Sequence, residues 1–314
     1  MFIARTNPLS SRIKSYRLAV AFAGCLFSAT TGLLPVAGLL PAAQAEEVKS
    51  FADTSRLVSV GGALTEIVYA LGEEGKLIAR DRTSTYPESV KKLPDIGYMR
   101  QLSSEGVLSV APTAMLVVEG SGPEETMDVL KRASVPMIVV PEDYSAEGIT
   151  KKITIVGQAL GVQDKAAALA AKVSADLKAV EASTSAITQK KRVLFILSRQ
   201  GGRLMASGQG TAADGMIKLA GGLNAIGEFQ GYKQLTDEAL DKAAPDLILL
   251  MSTGVDKAMD DHSELLSNPA IAATPAGRNK TIVTMDGLYL LGFGPRSAEA
   301  ARELSEKLYG KAAQ

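Results

Sequence analysis

The sequence predicts an α/β protein: two Rossmann-like lobes with parallel sheets, joined by one long spanning α-helix, with a ligand cleft between the lobes. Three observations carry this. First, one segment is written twice. Leu102-Ser-Ser-Glu105-Gly-Val-Leu-Ser-Val-Ala-Pro112, running into Met115–Val118, reappears 133 residues later as Leu235-Thr-Asp-Glu238-Ala-Leu-Asp-Lys-Ala-Ala-Pro245, running into Leu247–Leu250. That spacing is far longer than a solenoid period, so it points to two equivalent lobes. Second, strand-like and helix-like runs alternate along the chain, the pattern of a parallel sheet. Third, residues from Asp164 to about Ser183 are Ala-rich and unbroken by Gly or Pro. Leu169, Val173, Leu177 and Val180 keep one apolar stripe there. Twenty helical residues span roughly 30 Å, about the width of a lobe.

Taken in order, Arg56–Val60 reads as a buried strand running into Gly61-Gly62 and a helix over Leu64–Leu71. A short strand at Leu77–Ala79 precedes a polar, proline-bearing loop from Thr83 to Gln101. The first repeat copy follows, with a helix on Ser103–Val110 and a strand on Met115–Val118. Helix Glu124–Ala133, strand Met137–Val140 and helix Ala146–Leu160 complete the first lobe. The second lobe opens on strand Val193–Leu197 and a loop, Ser198-Arg-Gln-Gly-Gly-Arg203. Helix Ala212–Leu219, the second repeat copy, strands Leu247–Met251 and Ile282–Met285, and helix Ser297–Tyr309 follow. The expected domains are a signal at 1–45, an N-terminal lobe at 46–162, the connecting helix at 163–189 and a C-terminal lobe at 190–314.

The N-terminus places the protein. Arg5, Arg12, Lys14 and Arg17 precede an apolar tract from Leu18 to Leu40 and then Ala43-Gln44-Ala45. This reads as a secretory signal cleaved after Ala45, which puts the mature chain in the periplasm. Cys25, after Phe22-Ala23-Gly24, is a weaker lipidation signal, because apolar sequence continues well beyond it. The four early cations belong to the signal, so the mature chain keeps 30 of the 34 basic residues against 34 acidic ones. That balance gives no reason to expect nucleic acid or an anionic membrane surface as a partner. The mature chain has no cysteine, and its one histidine is His262. A metal site built on several histidines and thiolate chemistry are excluded by inventory. No nucleophile elbow or dinucleotide fingerprint is present.

Ligands of α/β proteins sit where loops leave the C-terminal ends of strands. Two such loops are rich in functional groups. One holds Tyr86, Tyr98 and Arg100; the other holds Arg199, Gln200, Gly201, Gly202 and Arg203. A phenolate is a hard anionic oxygen suited to ferric iron, and tyrosine is a known haem ligand. A guanidinium two residues away favours the charged, ligating form of the phenol. On spacing alone, a turn tyrosine beside a surface arginine explains the same residues.

The segment Leu93-Pro-Asp-Ile-Gly-Tyr98-Met-Arg100-Gln-Leu-Ser-Ser-Glu105-Gly resembles the periplasmic haem-binding proteins of ATP-driven importers. So do Asp81–Pro87, Gly208–Asp214 and Leu290–Gly294, and the resemblance covers essentially the whole mature chain. Gly-Tyr-x-Arg is its most specific mark, since cobalamin- and siderophore-binding relatives share the fold without it. The resemblance implies ferric haem b as the transported ligand, Tyr98 as axial iron ligand and Arg100 hydrogen-bonded to the phenolate. It implies an ABC-type haem permease and its ATPase as partners of a chain expected to be monomeric. Some members carry a histidine just after the strand that opens lobe two; here Arg199 and Gln200 stand there, and arginine does not ligate iron. Arg199, Arg203 and Lys233 are candidate partners for the haem propionates. Met99, Met205, Tyr232 and Phe293 are candidate porphyrin contacts, with Gly201 in the same loop. Glu105 and Glu238 occupy equivalent positions on the two lobes, each in the first turn of a short helix. They match the acidic residues with which this fold docks on a permease. Two other readings stand beside this one: the same fold carrying a ferric siderophore or a corrinoid, and a secreted α/β enzyme using Tyr98 and Arg100 as an acid–base pair.

Overall fold

A computed structural model describes residues 50–200, 203–253 and 262–310 of the 314-residue chain. The expected signal, its cleavage point and Cys25 lie outside the described residues. The first lobe runs β1 (Leu57–Val60), α1 (Gly62–Ala70), β2 (Leu77–Arg80), α2 (Ser104–Ser109), β3 (Ala114–Val118), α3 (Glu124–Arg132), β4 (Met137–Val140) and α4 (Ala146–Ala159). Its strands form a four-stranded sheet in the order β2-β1-β3-β4, parallel throughout. β1 and β3 are buried at every position, as central strands of a parallel sheet covered on both faces should be.

Helix α5 (Gln163–Ser185) is the expected rod. Its buried stripe is Ala166, Val173, Leu177, Val180 and Thr184, and it lies along α4 of the first lobe and helices of the second. The α4–α5 approach is close. A Cβ on Gly157 would sit 2.1 Å from the Cβ of Ala166, so only glycine fits.

The second lobe runs β5 (Arg192–Gln200), β6 (Arg203–Ser207), α6 (Ala212–Leu219), β7 (Leu223–Asn224), β8 (Tyr232–Leu235), α7 (Asp237–Ala243) and β9 (Leu247–Ser252). Then come α8 (His262–Leu266), α9 (Pro269–Ala273), α10 (Pro275–Arg278), β10 (Ile282–Asp286), α11 (Gly287–Leu291) and α12 (Ser297–Tyr309). The second sheet differs from the sequence expectation. β10, β9, β5 and β7 pair in parallel, but β6 and β8 add two antiparallel strands at one edge. The stretch expected as a loop after β5 is therefore mostly strand. β5 continues to Gln200 and pairs with β6 through a register shift between Ile196 and Ser198.

The repeat is visible in three dimensions. Ser103 and Thr236 cap α2 and α7 by accepting the amides of Gly106 and Ala239. Ala111 and Ala244, the alanines before each proline, both adopt left-handed backbone, at φ 45° and 37°. Each cassette then feeds a buried strand, β3 or β9. One hydrophobic core runs from β1, β3 and α4 through α5 to β5, α6 and α12. Two smaller clusters cover the outer faces of the two sheets.

Candidate functional site

Tyr98 sits on a turn held from several sides. The turn enters through Gly97 at φ 106°, a conformation that favours glycine. Arg82 donates its amide to the carbonyl of Gly97 (2.8 Å), and Gly122 donates to that of Met99 (2.9 Å). Asp95 accepts the Gly97 amide (2.8 Å). Beneath the turn, fully buried Asp81 accepts the amide of Gly61, the hydroxyl of Ser84, and both the amide and hydroxyl of Thr83. The Thr83 hydroxyl also touches the sulfur of Met99 at 3.9 Å. A buried carboxylate with this many donors is well compensated, and it ties the start of α1 to the Tyr98 turn. At the surface of the turn the Arg100 guanidinium donates to the Tyr98 hydroxyl at 3.2 Å.

Tyr232 faces this pair from the second lobe, within electrostatic range of both Tyr98 and Arg100. Its situation is different. Burial pushes its phenol above the ordinary range, an effect partly offset by the neighbouring Thr211 hydroxyl and Ala213 amide. Its ring meets Phe195 edge to face at 6.4 Å. Tyr144, a residue the sequence did not single out, completes the group. It stands edge to face on Phe293, with centroids 5.2 Å apart. Burial, and then the nearby Glu142, push its phenol up to about 12. Tyr144 also lines a polar recess of ≈ 390 Å³ with Glu142 and Asp143 from the first lobe and Thr211, Asp214 and Lys218 from the second.

The strand register sorts the remaining expected residues. β6 pairs with β8 as Ser207↔Tyr232, Met205↔Gln234 and Leu204↔Leu235. Side chains alternate faces along a strand, so Arg203, Met205 and Tyr232 share one face. Lys233 lies on the other, its ammonium 5.5 Å from the ring centroid of Phe229. The irregularity in β5 pairs Arg199 with Leu204, which puts Arg199 on that second face too. There its guanidinium donates to Glu264 of α8 at 2.6 Å. Arg199 and Lys233 therefore lie on the face opposite Tyr232, Lys233 by simple alternation along β8 and Arg199 through the one-residue bulge in β5. Gln200 pairs with Arg203 through the backbone; Gly201 lies outside the described residues. His262 pairs with the Thr284 hydroxyl at 3.1 Å. Glu105 and Glu238 are both exposed, in the first turns of α2 and α7.

A second cluster at the lobe boundary was not legible in the sequence. Arg296, just before α12, donates its amide (3.2 Å) and its guanidinium (2.9 Å) to the carboxylate of Glu66 on α1. The guanidinium lies 3.6 Å from the ring centroid of Tyr86 and 5.1 Å from that of Tyr289. Its Nε is buried without a partner. Nearby, a Cβ on Gly62 would fall 2.5 Å from Leu288, so the lobes are in direct contact here.

Among the described residues no group of three or more His, Cys, Asp or Glu could hold a bare metal ion. No described helix is long and apolar enough to cross a membrane.

Comparison with known proteins agrees with this architecture. Residues 57–288 match the family described as periplasmic binding protein. The periplasmic heme-binding protein BhuT, solved in complex with two hemes, superposes with a TM-score of 0.76 at 40% identity, covering 82% of this chain and 99% of that one. The apo periplasmic heme-binding protein RhuT of Roseiflexus sp. RS-1 gives 0.78 at 38% identity, covering 83% and 100%. The ABC transporter substrate-binding lipoprotein YvrC of Bacillus subtilis is 27% identical over 260 residues, 82% of this chain and 81% of that one. With a fold of two lobes joined by a long helix and a family match over most of its length, the chain belongs to the periplasmic binding protein family.

Proposed function

We propose that this chain captures ferric haem b between its lobes in the periplasm and delivers it to an ABC-type permease and its ATPase. It acts as a monomer, after cleavage behind Ala45, and performs no chemistry on its cargo. The observation that carries the reading is the Tyr98–Arg100 hydrogen bond, on a turn fixed by a buried carboxylate and facing Tyr232 of the other lobe. Tyr98 is the axial ligand. Arg100 holds the phenolate with a charge-assisted hydrogen bond and so slows dissociation of the haem. Tyr232, beside Thr211 and Ala213, serves as a wall for the porphyrin, and Met205 on the same face adds apolar contact. Arg203, exposed on that face, is the propionate partner in place of Arg199 and Lys233. Glu105 and Glu238 dock the permease, one per lobe. The likeness to the periplasmic heme-binding proteins BhuT and RhuT supports the choice of cargo over a siderophore or a corrinoid.

The test is spectroscopic. Haem added to the purified protein should give an intense Soret band and charge-transfer bands of a phenolate-ligated ferric haem. Tyr98→Phe should remove the charge-transfer bands. Binding of a corrinoid or a ferric siderophore, with no Soret change on adding haem, would assign the cleft to a different cargo.

A further inference from the structure

The two docking carboxylates stand on helices of six and seven residues. Helices this short do not hold themselves in water, so the direction in which Glu105 and Glu238 project depends on what clamps α2 and α7. The N-terminal clamps, Ser103 and Thr236, belong to the repeat. The C-terminal clamps do not. The Arg56 guanidinium donates to the carbonyls of Ala111 (2.8 Å) and Val110 (2.6 Å), at the exit of α2. The Arg192 guanidinium donates to the carbonyl of Lys242 (2.9 Å), in the last turn of α7. Each arginine is also fixed at its backbone. The Arg56 amide donates to the Thr113 hydroxyl (3.1 Å) and its carbonyl accepts from the Thr113 amide (3.0 Å). The Arg192 amide donates to the Asp246 carboxylate (2.8 Å) and its carbonyl accepts from the Asp246 amide (2.8 Å). Thr113 and Asp246 are equivalent positions of the repeat, whereas the arginines are 136 residues apart rather than 133. The same node is thus built twice from residues that the sequence repeat does not align. Each node links the strand opening a lobe's sheet, β1 or β5, to the end of that lobe's docking helix.

We propose that Arg56 and Arg192 are positioning residues for permease docking. They hold α2 and α7 at matched angles to their sheets, so that Glu105 and Glu238 meet a partner offering two equivalent basic pockets, one per subunit of a two-fold permease. This rests on the docking reading of the two glutamates. A cation at a helix C-terminus is also favoured by the helix dipole, which explains the residue type. It does not explain why the arginine is borrowed from the sheet in both lobes, with a side chain at the repeat position accepting its amide. Arg56 engages two carbonyls and Arg192 one, so the first-lobe node is the stiffer.

The experiment uses haem-loaded mature protein and the reconstituted cognate importer, with ATPase stimulation followed against binding-protein concentration. The double variant Arg56→Gln/Arg192→Gln should raise the half-stimulating concentration roughly three- to ten-fold, leaving maximal stimulation and the Soret spectrum unchanged. Arg56→Gln should act more than Arg192→Gln, and Arg56→Lys, which keeps the charge but not the fork, should fall between Arg56→Gln and the parent. Amide exchange at Val107 and Leu240 should quicken in the same order. Faster exchange with an unchanged half-stimulating concentration would reduce the arginines to fold-stabilising caps and overturn the proposal. If the double variant does not fold, the single variants decide by the same criterion. Glu105→Ala/Glu238→Ala is run alongside. If that pair leaves stimulation unchanged, the docking reading itself fails; if it lowers stimulation while the arginine variants do not, only the positioning role fails.

Discussion

Tyr98 and Tyr232 face one another across the lobe boundary, and they are tied down in opposite ways. Tyr98 meets the exposed Arg100 guanidinium at its oxygen, and the rigidity is in the turn beneath it. Tyr232 has Thr211 and Ala213 beside its oxygen and its ring packed on Phe195. One phenol meets a guanidinium at its oxygen and is fixed at its backbone. The other is held through its ring, edge to face on Phe195. Residue type therefore does not assign the ligand. What decides is whether the oxygen already has partners that a metal would have to displace.

The sharpest way to break this comparison is to remove each oxygen in turn. Tyr98→Phe should lose the phenolate charge-transfer bands and most haem affinity, whereas Tyr232→Phe should keep both. Tyr232→Phe should cost only the net value of its hydrogen bonds, about 0.5–1.5 kcal/mol in denaturant melts. Equal spectral loss in both variants would erase the distinction.

A smaller effect is expected at the second contact between the lobes. Glu66→Gln removes the charge that Arg296 meets in a half-buried setting. Breaking a buried pair from one side costs several kcal/mol; partial exposure of Arg296 reduces that to about 2 kcal/mol, read as a lowered denaturant midpoint. Haem spectra should be unchanged, because Glu66 is bonded to Arg296 while Tyr98 is bonded to Arg100.

The buried phenols predict an alkaline limit. Tyr144 keeps its proton to about 12 in the folded protein, whereas an unfolded chain releases it near pH 10. The stabilisation is complete below about pH 10 and is lost as pH rises toward 12, since the unfolded state binds fewer protons there. Tyr144→Phe should flatten part of this slope in melts between about pH 9 and 12. An unaltered slope would place the titration on other groups.

The smallest difference concerns the two arginines flanking the β5–β6 connection. Arg203→Ala should raise the rate of haem transfer to apomyoglobin by a few-fold, as loss of an exposed ion pair worth about 0–1 kcal/mol implies. Arg199→Ala should leave that rate unchanged, because its guanidinium is committed to Glu264 on the other face. The reverse order would mean that the register in haem-bound protein differs from the one described.

These contrasts also mark where sequence reading succeeds. The α/β alternation, the α5 rod and the paired cassettes around Glu105 and Glu238 were legible because apolar periodicity and a 133-residue echo are local or self-referential signals. The antiparallel edge was not. β6 and β8 are short, partly polar strands, and Gly201-Gly202 reads equally well as a loop. The face taken by Arg199 was not legible for a related reason. A single bulge exchanges the faces of every later side chain in β5, and no propensity encodes it. The Arg296–Glu66 pair joins residues 230 positions apart, and Tyr144 shows no motif. Both become visible only when the lobes are brought together.

One feature of the middle of the chain reaches further than its packing. α5 is buried against both lobes along a single continuous core. The helix then acts as a strut, and the span between Glu105 and Glu238 is set by the scaffold rather than by the cargo. An importer gripping both acids would measure the same distance on a filled carrier and on an empty one. Discrimination between them would then have to come from the mouth of the cleft itself.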